Sequence, residues 1–559
     1  MLRRLAPLLA LAAVAFLVGL VVGGRHEPAE RTLATEFTKA WERGDYASMH
    51  AMLTPETQKS RSVIDFANAY RDAAATATTT KLVAGRAANP RDDTVTVPIA
   101  VKTRIFGDIH QTLTLPIGKN ADGDPAIAWD PQLVFPGLQP GEKLTRRTRL
   151  PTRATLRTRD GKVIARGDDR SSDLDPAASE IAGTVGPAPP ERAEELAERG
   201  VPAGAPVGLT GLEREFDAEL TGTPGGELRA GARVLASRPP QRGKSVRTSI
   251  DPDVQRAAVA ALAGRYGGIA AVRPSTGEVL GLAGVAFSAP QPPGSVFKII
   301  TLSSALQAKA VKENESFPVQ TAATLEGVKL ENANGESCGG SLIDSFAHSC
   351  NSVFAPLGAK VGARKLVATA EAFGFNQDPH LLGAARSTIP AANEIGDDLA
   401  VGSTAIGQGK VLATPLEMAL VAAAIGEDGM RVQPTLRKGQ EPVMKRAVPA
   451  SVARFVERSM RAVVSYGTGT GAAMSGVKVA GKTGTAELRT TVRNDTLPQA
   501  GEEVTPPQAD PTDTDAWFAA FAPAGHPRIA VAVLFIAQGA GGEVAAPAAR
   551  QVIESAVKG

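Results

Sequence analysis

An uncharged segment near the N-terminus places the strongest constraint on this 559-residue chain. Residues 5–24 contain no charged side chain and consist mostly of Leu, Ala and Val. A helix of about 20 such residues spans the hydrocarbon layer of a bilayer. Because Arg3 and Arg4 precede the segment, the positive-inside bias keeps the N-terminus in the cytoplasm and places the rest of the chain outside.

A cleaved secretory signal is the alternative interpretation of this segment. Signal peptides end in small residues of the A-x-A type, whereas this segment ends in Val21-Val22-Gly23-Gly24-Arg25, and no cysteine follows directly for lipid attachment. We therefore predict an anchor within residues 1–25 and a single-pass protein of the cell membrane. Under either interpretation the body of the chain is extracytoplasmic.

The rest of the chain is too long for one hydrophobic core, because single cores stop growing at about 250–300 residues. The net charge of +3 and the lack of a run of like charges argue against nucleic acid as a partner. The six histidines are scattered, and none has ligand spacing with the two cysteines. We therefore expect several domains with neither a metal nor a cofactor.

Two regions precede the C-terminal half. Residues 30–137 have helical stretches followed by strands, which predicts a small α+β cone. The helical stretches are 31–53, interrupted at Gly44-Asp45, and 63–75, and the strands are 94–101, 110–117 and 126–135. Residues 138–245 contain Pro-rich and charged stretches and predict an elongated connector, or pedestal, domain. Within it, residues 153–166 predict a hairpin and residues 212–220 a short helix.

Residues 246–559 have strands at both ends and Ala- and Leu-rich helical stretches between them, which predicts an α/β sandwich. The strands are 268–272, 277–282, 478–485, 516–521 and 529–536, and the flanking helices are 253–265 and 543–558. Residues 487–513 are polar and contain Pro, and they predict a flexible loop between two strands of the sheet. The predicted fold is therefore multidomain α+β, with an N-terminal membrane helix.

A serine and a lysine are expected on one face of a helix that follows Pro292-Pro293-Gly294. Ser295 begins the helix, and Lys298 lies one turn further on. Apolar neighbours disfavour the charged form of a lysine, and a neutral Lys298 could take the proton of Ser295. This pattern is weak alone, because Ser475-Gly476-Val477-Lys478 also matches it ahead of a strand.

Two further elements strengthen the prediction. Ser349-Cys350-Asn351 places a hydroxyl and an amide in a short helix or turn. Lys482-Thr483-Gly484-Thr485 lies in a predicted strand, where the lysine and two hydroxyls could bind a carboxylate and the glycine permits close approach of another backbone. The three elements resemble the S-x-x-K, S-D-N and K-T-G set of serine acyltransferases that react with β-lactams, with Cys350 in place of Asp.

The resemblance is to class B penicillin-binding proteins, which are peptidoglycan D,D-transpeptidases, and it covers about residues 140–559. Further residues that carry it are Gly208-Leu209-Thr210-Gly211-Leu212-Glu213, Thr248-Ser249-Ile250-Asp251, Ala405-Ile406-Gly407-Gln408-Gly409 followed by Thr414-Pro415-Leu416, and Trp517-Phe518. Residues 31–137 are similar to nuclear-transport-factor-2-like domains. In the connector, Arg153-Ala154 departs from the Arg-Gly pair that is usual in the family. The implied domains are 1–25, 30–137, 138–245 and 246–559, the last being a β-lactamase-like transpeptidase domain.

The resemblance also implies a role for each motif residue. Ser295 would be acylated, Lys298 would be its base, and Ser349 would relay the proton to the leaving amine. Lys482 would supply positive charge. The substrate-binding residues would be Asn351, Thr483, Gly484 and Thr485. The donor would be a D-Ala-D-Ala stem peptide, β-lactams would acylate the same serine, and a membrane glycosyltransferase would be a partner.

Three alternatives remain open at this point. A β-lactamase or D,D-carboxypeptidase would use the same serine, and Glu394 is the candidate for a deacylating glutamate, although its surroundings do not resemble that loop. Gly335-Glu336-Ser337-Cys338-Gly339 fits the nucleophile elbow of α/β-hydrolases but lacks a buried strand before it. A catalytically silent β-lactam-binding scaffold or sensor is the non-enzymatic reading.

Cys338 and Cys350 are the two cysteines of the chain. A close pair in an oxidising compartment favours a disulfide, and two buried thiols are the alternative.

Overall fold

The computed structural model describes residues 27–487 and 514–557. The predicted anchor in residues 1–25 and nearly all of the predicted loop 487–513 lie outside the described residues. Within the described ranges, no helix is long and apolar enough to cross a membrane. The described chain forms two compact units. One contains residues 27–153, 186–207 and 221–243, and the other contains 154–185, 208–220 and 244–557. Residues 138–245, predicted as one connector domain, are thus divided between the units.

The first unit contains a four-stranded antiparallel sheet packed against helices. The strands, in spatial order, are Thr79–Ala84, Thr94–Thr103, Gly107–Lys119 and Pro125–Ile127. The helices are Ala29–Glu42, Tyr46–Ala51, Pro55–Ser60 and Val63–Ala77. In strand Thr94–Thr103 the side chains of Val95, Val97, Ile99 and Val101 are buried, as expected when alternate residues face a core.

Aromatic side chains fill the core of this unit. Phe37, Trp41, Phe66 and Tyr70 are buried, and Trp129 donates a hydrogen bond through Nε1 to the Tyr70 hydroxyl at 3.0 Å. The unit also contains a three-stranded sheet and the short helix Ala193–Glu198. The strands of that sheet, in order, are Arg233–Arg238, Gly225–Ala230 and Leu144–Arg149.

One sequence prediction for this unit needs correction, and one strand was missed. The predicted strand 126–135 ends at Ile127 and continues as the 3₁₀ helix Pro131–Val134. Pro131 has no N–H to donate to a sheet, and the Asp130 carboxylate accepts from the Gln132 N–H at 3.1 Å, which begins a helical turn. The strand Thr79–Ala84 was not predicted, because its residues alternate poorly in hydrophobicity.

The second unit is built on a five-stranded antiparallel sheet with helices on both faces. The strands, in spatial order, are Val279–Gly284, Gly267–Val272, Ile529–Phe535, Thr514–Ala522 and Ala480–Glu487. Alternate side chains of Ile529–Phe535 lie on opposite faces of the sheet. Val531 and Val533 pack with helices Pro252–Leu262 and Ala546–Val557 on one face. Ala532 packs on the other face, in the larger of the two hydrophobic clusters of this unit. We call Ala480–Glu487, which forms one edge of the sheet, the Lys482 strand.

The larger cluster is formed by helices inserted in sequence between the two halves of the sheet. They are Lys298–Gln307, Leu342–Ala347, Asn351–Val361, Ala363–Ala372, Asp398–Ala405, Pro415–Gly426 and Ala450–Ser465. Smaller strand pairs complete the unit: Ser316–Gln320 with Cys338–Ser341, Ala322–Leu325 with Val328–Glu331, and Met430–Val432 with Met444–Arg446. This arrangement agrees with the predicted sandwich and places the three motifs on elements that border the larger cluster.

The predicted hairpin at 153–166 is present as strands Leu156–Arg157 and Val163–Ala165, which Val246–Arg247 extends to a three-stranded sheet. The predicted helix 212–220 is two short helices, Gly211–Glu215 and Asp217–Thr221.

Candidate active site

Ser295 lies in a 3₁₀ turn, Gly294–Phe297, that continues into helix Lys298–Gln307. Gly294 has a positive φ of 52°, and a Cβ there would lie 2.8 Å from the carbonyl oxygen of Thr485. Glycine therefore lets the start of the helix lie directly against the Lys482 strand. Ser295 is half-buried, and its Oγ has no hydrogen-bond partner among the described residues.

Lys298 is fully buried, and its amine contacts the second motif. Its Nζ donates to the carbonyl oxygen of Ser349 at 2.6 Å and to Oδ1 of Asn351 at 2.6 Å, and it lies 3.3 Å from Ser349 Oγ. Burial lowers the pKa of Lys298 well below its usual value, and the nearby charge of Lys482 lowers it further. The neutral amine expected from the sequence is thus favoured, although no hydrogen bond joins it to Ser295 in the described chain.

Ser349 lies between helices Leu342–Ala347 and Asn351–Val361 with a positive φ of 60°. A left-handed conformation at a residue other than glycine costs about 1–3 kcal/mol and persists where the surroundings enforce it. Here Cys350 donates its N–H to the Ser345 carbonyl at 2.9 Å. A disulfide joins Cys350 to Cys338. The turn that presents Ser349 is therefore held through Cys350, the residue directly after it.

A hairpin segment also supports this turn. Asn351 donates through Nδ2 to the Glu331 carbonyl at 2.8 Å, and the Ser352 N–H donates to Asn332 Oδ1 at 2.8 Å. Both ends of the Asn351 amide thus have protein partners, since Oδ1 accepts from Lys298. Asn332 is buried and was not identified from the sequence, because its contact with Ser352 depends on the tertiary fold.

Lys482 is the second fully buried amine of the site. Its Nζ donates to Ser349 Oγ at 2.8 Å and to the Thr483 carbonyl at 3.0 Å. Burial lowers the pKa of Lys482 to about 7. Both the charged and the neutral forms of this amine are therefore accessible near neutral pH.

The rest of the Lys482 strand contacts the segment before Ser295. Gly484 lies opposite Trp517 in the sheet, and a Cβ on Gly484 would lie 2.8 Å from the Pro293 carbonyl oxygen. Trp517 donates through Nε1 to the Pro292 carbonyl at 2.9 Å. Thr485 is half-buried. The sequence prediction that a glycine here permits close backbone approach is consistent with this geometry.

Thr468 is a site residue that sequence reasoning missed. Its Oγ1 lies 2.5 Å from Oγ1 of Thr483, which is itself almost fully buried. Thr468 follows helix Ala450–Ser465 in a loop where glycines 467 and 469 flank it. The sequence shows only a single hydroxyl residue between two glycines. No local sequence pattern connects that residue with Thr483.

The competing sequence patterns fall outside this cluster. Ser475 is exposed and lies in the turn before the Lys482 strand. Glu394 is exposed, and its carboxylate accepts from the Ala391 N–H at 3.2 Å. Ser337 is exposed and follows a 3₁₀ turn, so the buried strand that a nucleophile elbow requires is missing. In the part of the chain that the structure describes, no group of three or more His, Cys, Asp or Glu side chains could hold a metal ion.

The site matches the motif set of serine acyltransferases. It has a serine at the start of a helix, two buried lysines that contact a second serine, and an edge strand that contains a glycine. Comparison with protein families supports the same class. Residues 267–554 match the penicillin-binding protein transpeptidase domain, residues 29–142 match the NTF2-like N-terminal transpeptidase domain, and residues 143–248 match the penicillin-binding protein dimerisation domain. The chain belongs to the family of penicillin-binding protein transpeptidases.

Individual relatives agree with this assignment. The chain is 36% identical to peptidoglycan D,D-transpeptidase PbpA of Mycolicibacterium smegmatis, over 62% of this chain and 80% of that protein. It is 35% identical to PbpA of Mycobacterium tuberculosis, over 63% of this chain and 80% of that protein. A crystal structure of the M. tuberculosis penicillin-binding protein A covers 73% of this chain and 99% of that structure, with a TM-score of 0.57 and 28% identity. A ceftriaxone acyl-enzyme of the same protein covers 73% and 98%, with a TM-score of 0.58 and 28% identity.

Proposed function

We propose that the chain is a penicillin-sensitive peptidoglycan D,D-transpeptidase that acts through an acyl-enzyme on Ser295. The observation that carries the proposal is the convergence of the three motifs: the amines of Lys298 and Lys482 both hydrogen-bond Ser349 Oγ, and Ser295 heads the helix that carries Lys298. Family membership and the printed activity of the relatives support the same reaction.

In the first half-reaction, Ser295 Oγ attacks the carbonyl of the penultimate D-Ala of a stem peptide. Neutral Lys298 accepts the Ser295 proton, and its lowered pKa supports that role. As the ester bond to Ser295 forms, the peptide bond breaks and the terminal D-Ala leaves as an amine. Ser349 relays a proton to that amine, supported by its contact with both lysines.

The Lys482 strand would bind the donor. Lys482 supplies positive charge beside Ser349 while it is protonated. The hydroxyls of Thr483 and Thr485 would receive the terminal carboxylate, and Gly484 keeps the strand close to the helix of Ser295. The backbone N–H groups of Ser295 and Thr485 would stabilise the oxyanion, where a helix N-terminus also contributes positive potential.

In the second half-reaction, an amine of a neighbouring stem peptide attacks the Ser295 ester. The new amide bond cross-links the two peptides and releases the serine. A β-lactam would enter the first half-reaction in place of the donor, and opening of its ring would leave the acyl group on Ser295.

The site residues are proposed to work outside the cytoplasmic membrane. The uncharged residues 5–24, preceded by Arg3 and Arg4, support a single membrane-spanning anchor in residues 1–25 with the body extracytoplasmic. Cross-linking acts on newly polymerised glycan strands, so a membrane glycosyltransferase is the proposed partner.

Mass spectrometry of the full-length protein after treatment with penicillin G tests this function. We expect one covalent adduct, on the peptide that contains Ser295. S295A should abolish both the adduct and the cross-linking of stem peptides, whereas S475A, in the second S-x-x-K sequence, should change neither. An adduct on another residue, or rapid multiple turnover of penicillin as in a β-lactamase, would refute the proposal.

A further inference from the structure

Thr468 connects two of the three motif-bearing segments of the site. Its backbone N–H donates to the Ala347 carbonyl at 3.1 Å, two residues before Ser349. Its hydroxyl lies 2.5 Å from the hydroxyl of Thr483 in the Lys482 strand. Thr468 itself is exposed, whereas Thr483 is 6% exposed. A ligand group that reaches Thr483 from solvent therefore comes close to Thr468.

The hydrogen-bond inventory of the two hydroxyls determines what Thr483 can offer a ligand. A hydroxyl has one proton to donate and two lone pairs to accept with. The 2.5 Å contact between the two hydroxyls allows two arrangements: Thr468 donates to Thr483 Oγ1, or Thr483 donates to Thr468 Oγ1 while Thr468 donates to the Ala347 carbonyl at 3.4 Å. In the first arrangement Thr483 Oγ1 accepts from Thr468, and Lys482 Nζ lies 3.5 Å away as a second donor.

When Thr468 is the donor, the Thr483 proton points away from Thr468 and can be donated to a ligand. A carboxylate can only accept hydrogen bonds, so it is the ligand group that such a free proton suits. We propose that Thr468 is a positioning residue for the donor carboxylate: it orients the Thr483 hydroxyl so that Thr483 donates to the ligand. This inference rests on the proposed function and assigns Thr468 a part in substrate specificity.

The backbone of Thr468 is closely packed although its side chain is exposed. A Cβ on Gly542 would lie 2.3 Å from the Thr468 carbonyl oxygen and 3.7 Å from Thr483 Cγ2, so the backbone at Gly542 packs against both residues. Thr468 is thus held by backbone contacts that do not involve its hydroxyl. Replacing the hydroxyl by a methyl group in T468V keeps those contacts and removes only the contacts of the hydroxyl with Thr483 and the Ala347 carbonyl.

The test compares two ligands that differ in the carboxylate alone, penicillin G and its methyl ester. For T468V in the full-length protein, we expect the second-order rate constant of acylation by penicillin G to fall about tenfold and that for the ester to stay within about twofold. T468S should restore the rate with penicillin G. T470V is the matched control, because Thr470 is exposed in the same loop and makes no side-chain hydrogen bond with the described residues.

Equal losses with the two ligands would show that Thr468 supports the fold of the site only, and no loss with either would show that it has no role; both results would overturn the inference. Labelling of the unsubstituted protein at Ser295 tests the proposed function separately. Absence of that labelling would refute the function. The role of Thr468 is tested by the ratio of the acylation rate constants for penicillin G and its methyl ester.

Discussion

Lys298 and Lys482 share one hydrogen-bond partner, the hydroxyl of Ser349. The hydroxyl oxygen can accept from a charged amine and donate its proton to a neutral one. Burial lowers the pKa of both lysines, and the charge of Lys482 adds to the effect at Lys298. A charged Lys482 therefore donates to the Ser349 oxygen, and the Ser349 proton is directed away from Lys482, where it can be passed to a leaving amine.

This pairing predicts the pH dependence of acylation by penicillin G. Lys482 loses its charge as the pH rises through about 7, so the acylation rate of the free enzyme should fall over that range. K482R should move the fall to higher pH, because a guanidinium stays protonated. The measurement is the second-order acylation rate constant between pH 5.5 and 9.

K478R is the control for this experiment. Lys478 is exposed just before the Lys482 strand, so this substitution should leave the profile unchanged. If the unsubstituted protein and K482R have the same midpoint, Lys482 is not the group that titrates.

Gly407 and Gly409 should respond very differently to alanine. Both have positive φ, 78° and 73°. A Cβ at Gly407 would lie 1.9 Å from the Gly294 carbonyl oxygen, directly before Ser295, whereas a Cβ at Gly409 meets no atom within 4 Å. We expect G407A to lower the free energy of unfolding by about 3 kcal/mol and to slow acylation about tenfold or more.

G409A should cost about 1 kcal/mol and leave acylation nearly unchanged, since only backbone strain is added. Denaturant unfolding and acylation rates measure both effects. Similar acylation rates for the two variants would show that the contact between Gly407 and Gly294 does not position Ser295.

The disulfide between Cys338 and Cys350 should support the turn that carries Ser349. Its sequence separation is 12 residues, for which loop-closure arguments give about 3 kcal/mol of stability. Reduction should therefore loosen the turn and slow acylation by penicillin G. Acylation rates before and after reduction, with the free thiols counted by alkylation, measure the effect.

C338A offers a comparison that does not depend on access of the reductant to the buried sulfurs. It should acylate as slowly as the reduced protein and should not respond to reductant. An unchanged acylation rate after complete, verified reduction would contradict this role of the disulfide.

Local patterns predicted the elements that carry the motifs. The proline pair and glycine before Ser295 indicated the start of a helix, and the strand that contains Lys482 was predicted as 478–485 and observed as Ala480–Glu487. Local sequence signals were sufficient in these cases, because the residues that define each element are neighbours in the sequence.

The contacts between the motifs could not be predicted in this way. Lys298 bonds a residue 51 positions away, and Thr468 bonds a carbonyl 121 positions away. The left-handed conformation of Ser349 likewise depends on how two helices meet. Such features are determined by the packing of distant segments, for which a single sequence has no local signal.

The edge position of the Lys482 strand has a consequence for how an extended peptide is recognised. Among the described strands, Ala480–Glu487 pairs on one side only, with Thr514–Ala522. Its other side can therefore offer main-chain N–H and C=O groups to a bound peptide, which would align as a sixth strand. Recognition of this kind depends on the ligand's backbone more than on its side chains, so the enzyme would tolerate variation along a stem peptide while remaining strict about the carboxylate at its end.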